Sequence, residues 1–213
     1  AGAEIVSFSP GDGLALATGN GVVCALRLGD GGLDEAWRRA ARAWVPEFGV
    51  DAGVTHVAVD PLGRGFFAAL VTPARRWERT GRLVIADVAT GEALGVYEVG
   101  YGPDACAFSG DGSAIIVANE GEAGVSVRGG VVDPVGTVSV FGVSDSSVTT
   151  FALLPGAKRM TGEVRVHPRN VGAEALDFEP EYVAVLGEWA YVCLQENNAV
   201  ARVDWERDEV ERV

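Results

Sequence analysis

The sequence predicts an all-β fold, and three observations carry that prediction. Short apolar segments recur along the whole chain, each ended by a turn rich in Gly, Asp or Pro. Glycine is frequent, at 29 of 213 residues, as expected for many short strands joined by tight turns. A strand–turn–strand phrase also repeats four times in the same order. Such repetition favours a modular all-β architecture over a fold with one irregular core.

The phrase is clearest around the turn Gly110-Asp111-Gly112. Apolar runs over residues 104–108 and 114–118 flank this turn, in which glycine supplies a positive φ and Asp111 caps its own turn. The first strands of the four copies align without a gap, at residues 4–8, 55–59, 104–108 and 181–185. We therefore expect each of these segments to be the innermost strand of one repeated unit.

Three or four short strands in each unit of roughly 40–50 residues are typical of β-propeller blades. The alternative, a β-sandwich with coincidental hairpins, gives no reason for the phrase to repeat four times. We predict a single propeller domain with about four consecutive blades, the N-terminal part of a larger ring of about seven. The predicted blades span about residues 1–53, 54–102, 103–179 and 180–213.

Several segments between these strands depart from the regular pattern. Residues 33–44 are rich in Ala and Arg and predict either a short amphipathic helix or, through residues 41–45, a fourth blade strand. A basic loop over residues 73–79 widens the hairpin of the second unit and is expected to be exposed; residues 93–99 then form its fourth strand. An insertion over residues 155–178 delays the fourth unit, and long ordered loops on propellers often line a site.

Composition narrows the classes of partner. The formal net charge is −13 and the isoelectric point about 4.5, which argues against nucleic acid because phosphates require a basic surface. An acidic chain is compatible with divalent cations. Cys24, Cys106 and Cys193 lie inside apolar strands and are predicted to be buried free thiols. No apolar run is long enough to predict a transmembrane segment.

Acidic side chains fall at equivalent positions of the repeated units. The innermost strands line the channel of a propeller, so residues that enter them form a ring at one mouth. One such ring comprises Glu4, Thr55, Asp104 and Glu181, and a second, just past the second strands, comprises Asn20, Thr72, Glu120 and Glu196. Carboxylates brought together in this way repel unless a cation or a proton intervenes.

These rings predict a metal site, with calcium as the candidate cofactor. Calcium takes six to eight oxygen ligands, and Asn119, Gln195 and Asn197 could add amide oxygens to the carboxylates. The alternative is structural, with these side chains capping turns or pairing with arginines. The predicted members of the site are Asp104, Glu120, Glu181 and Glu196, together with Asp133 and Glu179.

Four short phrases of the chain are distinctive in combination: Ala-Asn-Glu-Gly-Glu at 118–122, Asp-Pro-x-Gly-Thr at 133–137, Glu-Pro-Glu-Tyr at 179–182 and Leu-Gln-Glu-Asn-Asn at 194–198. Through these phrases, in the same order, the chain resembles the choice-of-anchor I family over nearly its whole length. The segments 33–44 and 101–105 depart from the family pattern, and the first is interpreted as a surface peculiar to this lineage. Family members are much longer, which implies that further blades come from the same or another chain.

The resemblance implies a fold firmly and a function loosely. The family comprises β-propellers of bacterial and algal surfaces and includes mesenchyme-specific cell-surface glycoproteins. We therefore expect a non-enzymatic extracellular or cell-surface scaffold that binds a protein, cell-surface or matrix partner. Some bacterial members carry an alkaline-phosphatase label, so the alternative is a calcium-dependent phosphoesterase.

Evidence for catalysis in the sequence is thin. His56 and His167 are far apart, and neither a Gly-x-Ser-x-Gly elbow nor zinc-ligand spacing occurs. A phosphoesterase would need a cationic anchor for the phosphate, and Arg159, Arg165 and Arg169 of the insertion are the candidates.

Overall fold

Four separate four-stranded antiparallel sheets account for most of the chain. The computed structural model describes residues 4–153, 164–165, 178–207 and 209–212. Each sheet is built from consecutive strands, with the first strand at one edge and the last at the other. We number the sheets as blades 1 to 4 in chain order.

The blades have the following strands. Blade 1 comprises β1 (Val6–Ser9), β2 (Leu14–Gly19), β3 (Val22–Gly29) and β4 (Gly32–Ala40). Blade 2 comprises β5 (Gly53–Val59), β6 (Phe66–Thr72), β7 (Thr80–Asp87) and β8 (Ala93–Tyr101). Blade 3 comprises β9 (Pro103–Phe108), β10 (Ala114–Asn119), β13 (Thr137–Gly142) and β14 (Val148–Ala152), with a ribbon of β11 (Gly124–Val125) and β12 (Val131–Val132) between β10 and β13. Blade 4 comprises β15 (Pro180–Leu186), β16 (Trp189–Leu194), β17 (Ala199–Asp204) and β18 (Glu209–Arg212).

The predicted all-β fold is confirmed, and so are the predicted inner strands. The segments 55–59, 104–108 and 181–185 lie within β5, β9 and β15, the first strands of three sheets, and the segment 4–8 overlaps β1, which begins at Val6. The hairpin turn of blade 3 also has the expected chemistry, because Gly112 has a φ of 65° and Asp111 accepts hydrogen bonds from Ser109 and Ser113. These bonds lower the pKa of the Asp111 carboxyl to about 2.

Successive blades pack face to face through three hydrophobic cores. Side chains of a strand alternate between its two faces, so β6 sends Phe67 and Ala69 towards blade 1 and Leu70 towards blade 3. On β10, Ile115 packs towards blade 2 and Ile116 towards blade 4. All five side chains are fully buried, and burying a large apolar side chain stabilises a fold by about 1.5–3 kcal/mol. Blades 2 and 3 are therefore apolar on both faces.

Residues 33–44 contain both predicted alternatives, a strand and a short helix, with the strand earlier in the chain than predicted. The fourth strand is β4, which ends at Ala40, and residues 41–45 form not a strand but the single helical turn α1 (Ala41–Trp44). The interpretation of this segment as a surface is wrong for its tryptophans. Trp37 stacks on Phe67 at 5.8 Å and donates Nε1 to the Val88 carbonyl at 2.9 Å, so it belongs to the core between the blades.

The cysteines are free thiols, as predicted. Cys106 is fully buried in the core between blades 2 and 3, and burial raises the pKa of its thiol to about 12. Cys24 and Cys193 are only half-buried, which corrects the prediction of full burial for these two. Within the described residues, no helix has the length and apolar character needed to cross a membrane.

Candidate functional site

Acidic side chains from blades 3 and 4 gather around one arginine from blade 2. Asp104 is the second residue of β9, Glu181 is the second residue of β15, and Glu120 directly follows β10. Arg76 extends from the loop between β6 and β7. We call this group the acidic mouth, defined by Arg76 and the carboxylates of Asp104, Glu120, Glu122, Glu179, Glu181 and Glu196.

Two carboxylates hold Arg76 directly. Its Nη1 lies 2.8 Å from Oε2 of Glu120, and its Nε donates to Oε2 of Glu122 at 2.9 Å. The Arg76 side chain is 30% exposed and that of Glu120 only 12%, so water screens this pair incompletely. Burial works against the charge of Arg76, but Glu120, Glu122 and Asp104 together raise the pKa of its guanidinium. Arg76 is therefore a fixed cation at the mouth.

The charge of one arginine does not offset the surrounding carboxylates. Burial raises the pKa of Glu120 to about 7; Arg76 lowers it, whereas Asp104, Glu122 and Glu179 raise it further. Burial also raises the pKa of Asp104, and Glu4 raises it further. Burial raises the pKa of Glu181 as well, to which the charges of Asp104 and Glu196 add. The mouth thus carries an excess of negative charge that favours a proton or a cation.

Glycines allow the segments that form the mouth to approach closely. Gly121 has a φ of 70°, and a Cβ there would come within 2.7 Å of the backbone N of Gly136. A Cβ on Gly136 would in turn meet the Phe178 carbonyl oxygen and, at 2.6 Å, Cδ of Pro180. The phrases at 118–122, 133–137 and 179–182, far apart in sequence, therefore meet at one place beside Glu120.

Two of the three amide side chains proposed as further ligands, Asn119 and Asn197, make other hydrogen bonds. Asn119 is fully buried, and its Oδ1 accepts the Gly100 N–H at 3.0 Å while its Nδ2 donates to Ser139 Oγ at 2.9 Å. Asn197 donates Nδ2 to the Arg165 carbonyl at 2.8 Å. Asn119 therefore ties blade 3 to blade 2, and its oxygen is turned away from any ion at the mouth.

The structure brings together most of the residues that the sequence predicted. Glu120, Glu181, Asp104, Glu179 and Glu196 are close enough for their charges to act on one another. Asp133 lies in the lining of a groove between blades 2 and 3. Among the described residues, no group of three or more His, Cys, Asp or Glu side chains has a geometry suited to a metal ion.

Sequence reasoning missed Arg76 and Glu122, and it wrongly expected the basic loop to be exposed. Half of this loop lies against blade 3: Trp77 covers Gly124 and donates Nε1 to the Val125 carbonyl at 3.1 Å, and Glu78 accepts the Val127 N–H at 2.9 Å. Charge could have revealed this contact. The basic cluster at residues 73–79 stands out in a very acidic chain, and the acidic loop that follows β10 comes one repeat later in the sequence.

The stacked antiparallel sheets and the charged mouth at their inner strands define a propeller-type binding scaffold. The chain belongs to the choice-of-anchor I family, whose domain matches residues 4–213. No curated protein sequence matches the chain.

Solved structures resemble this fold at low sequence identity. Hydrazine synthase from Kuenenia stuttgartiensis aligns with a TM-score of 0.64 and 13% identity over 94% of this chain and 52% of that one. The Dos1 propeller aligns with a TM-score of 0.60 and 9% identity over 99% of this chain and 47% of that one. The chain thus spans about half the length of these two structures. At these identities the similarity concerns the fold alone.

Proposed function

We propose that this chain is part of a non-enzymatic extracellular or cell-surface scaffold, and that its acidic mouth binds a basic group of a partner. The observation that carries the proposal is the surplus of carboxylates around Arg76, with Glu122 and Glu196 at its accessible side. A basic group of a protein, cell-surface or matrix partner would relieve that repulsion, whereas nucleic acid would increase it. The family, known for surface-associated propellers, supports the location.

The described residues favour binding over catalysis. A catalytic histidine is ordinarily held by a hydrogen-bonded partner that fixes its tautomer. Nδ1 of His56 is buried with no hydrogen-bond partner in the part of the chain that the structure describes, and burial alone lowers the pKa of this imidazole. Of the residues proposed for phosphoester chemistry, His167, Arg159 and Arg169 lie outside the described residues.

This proposal has a test with two readouts. Protease added to intact cells should degrade the protein, because a surface location exposes it. The purified intact protein should hydrolyse no p-nitrophenyl phosphate, with or without calcium. Survival of the protein in intact cells would contradict the location. Calcium-dependent turnover that disappears in the Glu120→Gln, Glu181→Gln double variant would instead establish the phosphoesterase.

Calcium binding at the mouth is a second proposal, which the same charge surplus favours. The carboxylates of Glu181 and Glu196 are less enclosed than that of Glu120 and could provide oxygens, but Arg76 already occupies the deeper side. Such a site would hold calcium through few protein ligands. We therefore expect an affinity in the range of extracellular modules, with a Kd on the order of 0.1–1 mM.

Millimolar calcium should raise the melting temperature of the intact protein if this site exists, because an ion that binds only the folded state stabilises it. Glu181→Gln should abolish that rise. Glu188→Gln, the same change at an exposed residue of the β15–β16 turn, should leave it intact. An equal calcium response in both variants, or none in the wild type, would show that the carboxylates serve Arg76 and a protein partner alone.

A further inference from the structure

A large groove runs along the outer edge of blade 2. It has a volume of about 1090 Å³ and lies between β8 and the outer strands of blade 3. Six consecutive residues of β8, 96–101, form one side. Val148 and Thr150 of β14, residues 132–135 and Trp77 form the other sides. The groove is therefore built by the outer strands of two blades, the β6–β7 loop of blade 2 and the segment before β13 of blade 3.

The floor of the groove presents the unpaired edge of a strand. β8 is the last strand of blade 2 and pairs only with β7 among the strands that the structure describes. At its end, the Gly100 N–H and the Tyr101 carbonyl already bond to Asn119 Oδ1 and to the Gly121 N–H, which leaves the edge of residues 96–99 for a partner. An extended run of four residues is roughly 13 Å long at about 3.3 Å per residue. This length suits an extended polypeptide, which can add to such an edge through main-chain hydrogen bonds.

The walls of the groove are aromatic and held in place. Tyr97 packs against Phe141 with ring centroids 4.6 Å apart, and its hydroxyl bonds to Ser146 Oγ at 3.2 Å. Trp77 is fixed over Gly124, and Tyr101 closes the end of the run. Rigid aromatic faces bind apolar side chains and also attract lysine and arginine.

All charged residues in the lining are acidic. They are Glu78, Glu98 and Asp133, and the described lining contains no lysine, arginine or histidine. Glu98, at the edge of the groove, is paired with Arg82 at 3.3 Å, yet its side chain is 65% exposed. Since the whole chain carries a net charge of −13, a cationic partner is attracted both locally and at long range.

Apolar surface continues from the groove onto the ribbon of β11 and β12. Val132 lines the groove, and the neighbouring Val125, Val127 and Val131 are 57%, 71% and 78% exposed. We call residues 124–132 the valine hairpin. An exposed apolar patch of this kind marks an interaction site, and its position beside an extended strand edge suits a polypeptide.

We propose that the groove and the valine hairpin bind an extended protein segment in which lysine or arginine alternates with apolar side chains. The segment lies along the outer edge of β8, with its basic groups towards Glu98 and Asp133 and its apolar groups against Tyr97 and the valine hairpin. The loop between β6 and β7 separates this surface from the acidic mouth, because Arg76 points into the mouth and Trp77 into the groove. The two surfaces can therefore be tested independently.

The test is a phage-displayed library of random peptides about ten residues long, selected on the intact protein. Enriched peptides should carry lysine or arginine in alternation with apolar residues, and added salt should weaken their binding. Val96→Arg, at an edge residue of β8 that lines the groove, should weaken the binding of the selected peptides by roughly tenfold or more. Leu94→Arg is the matched control, because Leu94 is an exposed residue of the same strand that does not line the groove. It should leave their affinity unchanged.

Two further changes separate charge from shape. Val96→Glu fills the same space with the opposite charge and should preserve binding of the basic peptides. Glu98→Gln should weaken peptide binding and make that binding less dependent on salt. If Val96→Arg fails to fold, Glu98→Gln serves as the test in its place. Enriched peptides without basic residues, or equal binding to Val96→Arg and Leu94→Arg, would overturn the proposal. A neutral sugar would provide a different contradiction. If no peptide is enriched, and if maltohexaose binds saturably to the wild type but not to Val96→Arg, the groove binds sugar and the proposal is overturned.

Discussion

Gly136→Ala is expected to lower the free energy of unfolding by about 3 kcal/mol or more, the upper end of the cost of overpacking. The added methyl group would collide with the Phe178 carbonyl oxygen and with Pro180, and it would press on the Glu120 carbonyl at 3.0 Å. Two of these atoms are backbone carbonyl oxygens and the third belongs to a proline ring, so none can move aside as a flexible side chain can. The change should therefore separate the phrases that form the mouth.

Urea unfolding followed by circular dichroism measures this effect. Gly110→Ala is the control, because no atom lies within 4 Å of a Cβ at Gly110 and its φ is not positive. The two variants make the same chemical change, so the difference between them isolates the collision. Unfolding midpoints that agree within error would mean that the close approach at Gly136 is not needed for stability.

Arg76→Met is expected to destabilise the protein by on the order of 2 kcal/mol at pH 8, and by less at pH 5. Removing one partner of a fully buried ion pair costs about 3–5 kcal/mol, and the partial exposure of Arg76 reduces that cost. Without Arg76, the carboxylates of Glu120 and Glu122 repel each other, and protonation of Glu120 at lower pH relieves this repulsion. Arg75→Met, at a neighbouring and more exposed arginine, should have little effect at either pH.

The direction of the pH dependence follows from the pKa of Glu120. This pKa is about 7 in the folded protein against 4.5 ordinarily, so the folded state binds the proton more tightly. The stabilisation by the proton is fully present below about pH 4.5 and is lost as the pH rises through 7. Arg76→Met raises this pKa further and enlarges the loss, whereas Glu120→Gln should remove it. A loss of the same size in Glu120→Gln would assign the pH dependence to another group.

The strands were predictable from the sequence because their signals are local. Continuous apolar runs such as that of β6, and the Gly-Asp-Gly turn after β9, determine structure within a few residues of chain. Equivalent positions in repeated units also placed Asp104 and Glu181 together, since related blades carry related residues to the same ring. The part of the acidic mouth that depends on repetition was therefore accessible without coordinates.

The remaining features depend on contacts between distant segments that do not repeat. Arg76 lies in a loop found only in blade 2, and nothing in its neighbourhood along the chain specifies Glu120 as its partner. The single helical turn after β4 likewise forms where Trp37 and Trp44 must reach Phe67 across the blade boundary. Tertiary packing determines both the Arg76–Glu120 pair and this helical turn, so hydrophobic periodicity could not predict either of them.

The arrangement of each sheet from consecutive strands bears on how the protein is made. Almost every strand pairs with its neighbour in sequence, so the chain closes mainly short loops as each blade forms. A blade can form as soon as its own residues have left the ribosome and can then serve as the template on which the next one condenses. Folding can therefore keep pace with synthesis, with the folded part of the chain ending about one blade before the residue being added.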